Sequence, residues 1–230
     1  MAFLGNITGN GLFLSLVFGF LPPLFWLWFW LREDARPEPR SLIFLVFIYG
    51  MVAAVLSIPV EYFVKLFTEN IIILLLSWSF IEETFKYLAA SKGGLLKKAF
   101  DEPIDALVYM TTAALGFASA ENVLFLLKAV GTSGTIATVV TGNLRFLGAT
   151  LLHVVASSIL GASIAYAFFH KEKMIRNVLG GLILSTALHF SFNFLILKSE
   201  PNDILRIFIP LWVFIIAVIF LYEKIKNIKK

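Results

Sequence analysis

Apolar runs of roughly 20 residues return along the whole 230-residue chain, and that recurrence limits the fold more than any other feature. A helix rises ~1.5 Å per residue, so each run is long enough to cross the ~30 Å hydrocarbon core of a bilayer. Spans are read at approximately 11–31, 41–62, 71–91, 103–128, 147–169, 178–198 and 204–222. The predicted fold class is all-α, a polytopic transmembrane helical bundle of about seven spans, with 1–230 as a single domain. The stretch from Gly131 to Asn143 could add an eighth element, either a short helix or a re-entrant piece. The first run lacks a basic leader and a small-residue cleavage site, so it reads as a retained helix, kinked at Pro22 and Pro23.

Composition narrows the class of function. With 59% hydrophobic and 15% charged residues, the chain is far from the balance of a water-soluble domain. Cysteine is absent, which excludes disulfides, thiolate metal sites and a cysteine nucleophile. The net charge of +4 does not point to nucleic acid, because the basic residues sit in short clusters between apolar runs. Placed on alternate sides, thirteen of them share one face: Arg32, Arg36, Arg40, Lys92, Lys97, Lys98, Lys171, Lys173, Arg176, Lys224, Lys226, Lys229 and Lys230. The other face collects Lys65, Lys128, Arg145, Lys198 and Arg206. The positive-inside bias then puts the N-terminus outside and the C-terminus in the cytoplasm of a multi-pass cell-membrane protein.

Several ionisable residues fall inside the apolar runs, where each costs about 2.5–3.5 kcal/mol at the bilayer centre. The third span carries Glu82, Glu83 and Lys86, with the lysine one helical turn after both carboxylates and able to pair with either. A structural ion pair would need only one of them. The fourth span carries Glu121 and Asn122 beyond a small surface of Ala113, Gly116 and Ala120. On the fifth, His153, Ser157, Gly161 and Ala165 fall at four-residue steps, and on the sixth Gly181, Ser185, His189 and Asn193 repeat the pattern. Each stripe turns a histidine toward a neighbouring helix rather than lipid. Counted from the outer end of each span, Glu121, His153 and His189 lie about 8–14 Å deep and Glu82 about 16 Å, so the four can meet at one level.

These residues fall into four ordered motifs: Glu82-Glu83-x-x-Lys86, Phe117-x-x-x-Glu121-Asn122, Arg145 followed by His153-x-x-x-Ser157, and His189-x-x-x-Asn193. In them the chain resembles the PrsW family of intramembrane proteases, related to the CAAX prenyl protease and Abi superfamily. The acidic, proline-containing segment Glu33 to Arg40 resembles that family's EPEP-type loop, with Ala35-Arg36 as a departure. Lys86 and Glu121 stand where the CAAX enzymes carry arginine and histidine, which favours the PrsW branch. The resemblance implies hydrolysis of a peptide bond in a membrane-anchored, anti-sigma-factor-like protein near its extracytoplasmic membrane boundary.

Amide hydrolysis without a serine or cysteine nucleophile needs an activated water, a base, and donors for the developing oxyanion. Glu82 or Glu83 is expected as the base, His153 or His189 to orient water or protonate the leaving amine, and Asn122 or Asn193 as the oxyanion donor, with Lys86 tuning the carboxylates. This metal-free scheme is the preferred expectation. Zinc is the alternative, held by Glu82, Glu121, His153 and His189, although no His-Glu-x-x-His motif is present. An ion-coupled transporter would bury similar residues, yet the two halves of the chain show no convincing repeat. A non-catalytic binding or immunity protein is a third class.

Overall fold

The computed structural model describes residues 9–34, 36–133, 136–198 and 204–228, with 132–147 and 204–207 described by their backbone alone. Seven long α-helices occupy these residues: α1 (Gly9–Leu31), α2 (Arg40–Lys65), α3 (Ile71–Ala90), α4 (Ile104–Ser133), α5 (Ile136–Tyr166), α6 (Met174–Lys198) and α7 (Ile204–Lys226). Local chemistry sets several boundaries. Asn70 caps α3 by accepting from the amides of Ile72 and Ile73. Pro39 precedes the first turn of α2. Six helices are long and apolar enough to cross a membrane. The seventh, α3, spans 20 residues and carries Glu82, Glu83 and Lys86. The stretch expected as an eighth element is the end of α4 and the start of α5, with residues 134 and 135 outside the described residues.

The bundle presents large apolar side chains outward and encloses its ionisable ones within an otherwise apolar core. Large side chains such as Phe44, Ile175 and Phe220 are exposed, whereas Glu83, Lys86, Asp105, Ser157 and His189 are buried. A soluble protein inverts that order, and a lipid-facing one requires it. Helices α4 and α5 form the centre. Gly116 of α4 sits directly on the carbonyl of Phe47, and Gly50 of α2 on that of Ala113, so a Cβ at either position would meet the facing backbone. Gly161 brings α5 onto Ala106 and Leu107 in the same way.

Contacts at one end tie three junctions and the C-terminal turn of α7 together in linked pairs. Lys226 Nζ lies 2.8 Å from Glu33 Oε2, and Trp30 stacks on Tyr222 with centroids 5.0 Å apart. Arg36 is 3.9 Å from Glu102, and Phe100 packs edge-on against Phe168 at 5.1 Å. The α1–α2, α3–α4 and α5–α6 junctions therefore share an end with the C-terminal turn of α7, as alternating spans require. Here the Tyr109 hydroxyl donates to Glu38, and Asp105 Oδ2 accepts from the amides of Asp101 and Glu102. Burial pushes the carboxyls of Asp34 and Glu38 above their ordinary range, opposed by the Arg36 amide and the Tyr109 hydroxyl respectively.

Candidate active site

Midway along α3, a half-turn of helix presents Glu82 and Glu83 to different surroundings. Glu83 is enclosed and saturated. Its Oε1 is 2.7 Å from Lys86 Nζ and 2.9 Å from His189 Nδ1, and its Oε2 accepts from Ser157 Oγ at 2.8 Å. Glu82 lies against a cavity of about 340 Å³, and its Oε2 is buried without a hydrogen-bond partner. Lys86 Nζ approaches that oxygen at 3.5 Å while its shorter contacts go to Glu83 and His153. A buried carboxylate oxygen left unpaired is costly, so this orphan marks where another group belongs.

The two histidines arrive from α5 and α6 with their rings 5.1 Å apart and nearly perpendicular. His153 Nδ1 lies 2.7 Å from Lys86 Nζ, and its Nε2 lies 2.7 Å from Glu121 Oε2 on α4. An ammonium is a donor only, so His153 accepts at Nδ1 and donates from Nε2 to Glu121. His189 has Nδ1 on Glu83 and Nε2 3.6 Å from Glu82 Oε2. Donation from Nδ1 to Glu83 leaves its Nε2 lone pair turned toward Glu82. Phe117 closes the buried side, its ring 4.5 Å from Lys86 Nζ and 5.5 Å from the ring of His153.

Glu82, His153 and His189 offer ligand atoms that all lie within 4.8 Å of one another. Three carboxylates, Glu82, Glu83 and Glu121, face one ammonium, Lys86, which leaves two negative charges when the histidines are neutral. Their donor types, one carboxylate and two imidazoles, are those zinc accepts. Both the unpaired Glu82 oxygen and the charge imbalance fit a divalent cation. The Glu83–His189 hydrogen bond is the outer support that metal-binding histidines commonly have.

The structure brings together the residues singled out by sequence, in two tiers. Glu82, Glu121, Asn122, His153, His189 and Asn193 line the cavity, while Glu83, Lys86 and Ser157 lie beneath it. Asn122 is half committed, since its Nδ2 donates to Thr150 Oγ1 at 3.1 Å. The side chain of Arg145 lies outside the described residues. One cavity residue was missed: Glu61, a turn from the end of α2, whose backbone carbonyl accepts from Trp78 Nε1 at 3.2 Å. A carboxylate within the second apolar run is the available signal, weakened by its place near the end of the run, where charged residues are ordinary. The cavity lining runs from Glu82 and His153 toward Glu61 near the end of α2 and Leu197 near the end of α6, on the side of the bundle opposite the linked loops described above.

Comparison with known proteins bears on this geometry. The chain is 29% identical to Protease PrsW of Geobacillus kaustophilus over 178 residues, 75% of each protein. It is 28% identical to Protease PrsW of Shouchella clausii over 207 residues, 86% of this chain and 91% of that one. With the Bacillus subtilis Protease PrsW the identity is 26% over 175 residues, 74% and 76% of the two chains. No solved structure matches. A family model described as "PrsW family intramembrane metalloprotease" matches residues 38–221, so this multi-pass membrane protein belongs to the PrsW family and is an intramembrane protease.

Proposed function

We propose that the cavity beside α3 is the hydrolytic centre, where a water attacks a peptide bond of a membrane-anchored protein. The observation that carries this reading is the buried Glu82 Oε2, without a hydrogen bond, in a set with His153 and His189 against a cavity of about 340 Å³. Glu82, His189 and His153 would hold a divalent metal, with His153 exchanging the Lys86 ammonium at Nδ1 for the ion, and zinc suits these donors. Such an ion supplies a more acidic bound water and a polarised scissile carbonyl.

The protein's own groups do the rest. Glu121, half exposed to the cavity, accepts the water's proton and passes it to the leaving amine. Asn193 and the free N–H of Asn122 donate to the oxyanion. Glu83 is a positioning residue in this scheme, fixing the tautomer and direction of His189, and Lys86 anchors Glu83. The basic-residue bias puts the open end outside the cell, so the cut falls near the substrate's extracytoplasmic boundary. An anti-sigma-factor-like protein is the substrate the family resemblance favours.

One contact supports the metal-free scheme as a second reading: Lys86 Nζ, 3.5 Å from Glu82 Oε2, can itself neutralise that carboxylate, leaving Glu82 to take the water's proton. The purified protein in liposomes, with a single-span substrate, separates the two. Under the metal reading a strong chelator stops fragment formation and zinc restores it. Undiminished cleavage by protein shown to be metal-free would establish the second reading. No cleavage by the fully metallated, folded protein would overturn both.

A further inference from the structure

The cavity's mouth holds one ionisable group that the hydrolytic scheme leaves unused. Glu61 reaches it from α2, and no lysine or arginine lines the cavity among the described residues. Lys86 is fully buried beneath the cavity and already bonded to Glu83 and His153, and Lys65, a turn after Glu61 on α2, is not among the lining residues. Glu61 does not belong to the metal-type cluster of Glu82, His153 and His189. Its position is braced: Trp78 Nε1 donates to the Glu61 carbonyl across the α2–α3 contact, and both side chains form part of the cavity wall.

A carboxylate held in a partly desolvated wall repels acidic groups and favours a cation that can enter. The remaining lining is mostly apolar or amide: Leu75, Phe125, Leu152, Ile196, Asn122 and Asn193. At about 340 Å³ the cavity holds only a few residues of an extended peptide, so whatever meets Glu61 is close in sequence to the bond above Glu82. Resting on the hydrolytic reading above, we propose that Glu61 is a specificity-determining residue that selects a substrate with lysine or arginine within two residues of the cleaved bond. The ammonium or guanidinium would enter beside Trp78, its aliphatic stem on Leu75 and its charge on Glu61.

The test uses the full-length protein in proteoliposomes and designed single-span peptides. Their juxtamembrane segment carries Lys, Gln or Glu at one position at a time, and cut sites are mapped by mass. Wild-type protein is expected to cut the Lys peptide with kcat/KM about tenfold or more above the Gln peptide, chiefly through KM, with the Glu peptide poorest. Glu61→Gln should collapse the Lys-to-Gln ratio toward one. Glu61→Lys should invert it and rescue the Glu peptide, a gain that misfolding cannot mimic. Cleavage of all three peptides at equal rates by wild type, or an unchanged ratio in Glu61→Gln, overturns this assignment and leaves the hydrolytic reading standing. If wild type cuts none of the peptides, the hydrolytic reading fails, and this one with it.

Discussion

His189 turns Nδ1 onto Glu83 Oε1 at 2.9 Å and points its other nitrogen at Glu82, 3.6 Å away. The two adjacent glutamates of α3 are thereby divided between an enclosed ion pair and a cavity wall, and their substitutions should fail differently. Glu82→Gln removes a cavity carboxylate and is expected to lower kcat by about 10² to 10⁴ with little change in thermal stability. Glu83→Gln leaves Lys86 buried without its closest anion, so it should cost about 3 kcal/mol or more of stability as well as activity. Melting in detergent alongside fragment assays checks this. Equal stability losses in the two variants would contradict the division.

Metal content offers a readout independent of activity. Wild-type protein purified with zinc should retain close to one ion per chain, and His153→Ala and His189→Ala should each lower retention sharply. Elemental analysis of the membrane-embedded protein decides it. Unchanged zinc in both alanine variants would remove these histidines from any metal site.

The proposed orientation rests on the thirteen basic residues that the sequence reading assigns to one face. Reporters fused after Arg40, Lys98 and Lys173 should read cytoplasm, and a reporter fused after Lys65 should read outside. Two contrary reports among the first three would reverse the topology and turn the cavity toward the cytoplasm.

Helix α4 tolerates no side chain where it meets α2. Gly116→Val drives a Cβ and two methyls into the Phe47 carbonyl and should destabilise the protein by about 1–3 kcal/mol or more. Gly180→Ala, at a glycine with nothing within 4 Å of the added carbon, should be neutral or slightly stabilising. Matched thermal melts of the two variants measure the difference.

Asp34 and Glu38 are carboxyls outside the spans whose pKa the fold raises, by burial first of all. The folded state therefore holds their protons at pH values where the unfolded chain has released them. Their contribution to stability is greatest in acid and is lost as pH rises from the ordinary carboxylate range through the raised values. The paired substitution Asp34→Asn with Glu38→Gln should flatten this part of the pH dependence and narrow the gap in melting temperature between mildly acidic and neutral buffer. A wild-type and variant profile of identical slope would count against it.

Much of the architecture was legible because lipid imposes a simple rule: a spanning segment must be apolar and long. The expected spans match the seven helices within a few residues, apart from the start of α5 at Ile136, where the sequence reading allowed a separate piece. The residues that gather at the candidate site were legible for the converse reason, since Glu82, Glu83, Lys86, Glu121, His153 and His189 are anomalies in apolar runs. What sequence could not divide was the labour of Glu82 and Glu83. They are neighbours in the chain, and only the arrival of Ser157 and His189 from other helices makes one a buried support and the other a cavity wall. Glu61 escaped notice because nothing local distinguishes an interfacial glutamate from one that a tryptophan 17 residues later draws into a cavity wall.

The lower tier of the site has a bearing on membrane energetics. Glu83, Lys86 and Ser157 form a fully enclosed floor, and beyond them Leu107, Met110 and Leu160 are sealed to solvent. Water that enters from the open end meets a closed ion pair and then dry hydrocarbon side chains. Among the described residues the cavity is therefore closed at its inner end, a blind well, and hydrolysis there as proposed would give protons and ions no path by which to discharge the membrane potential.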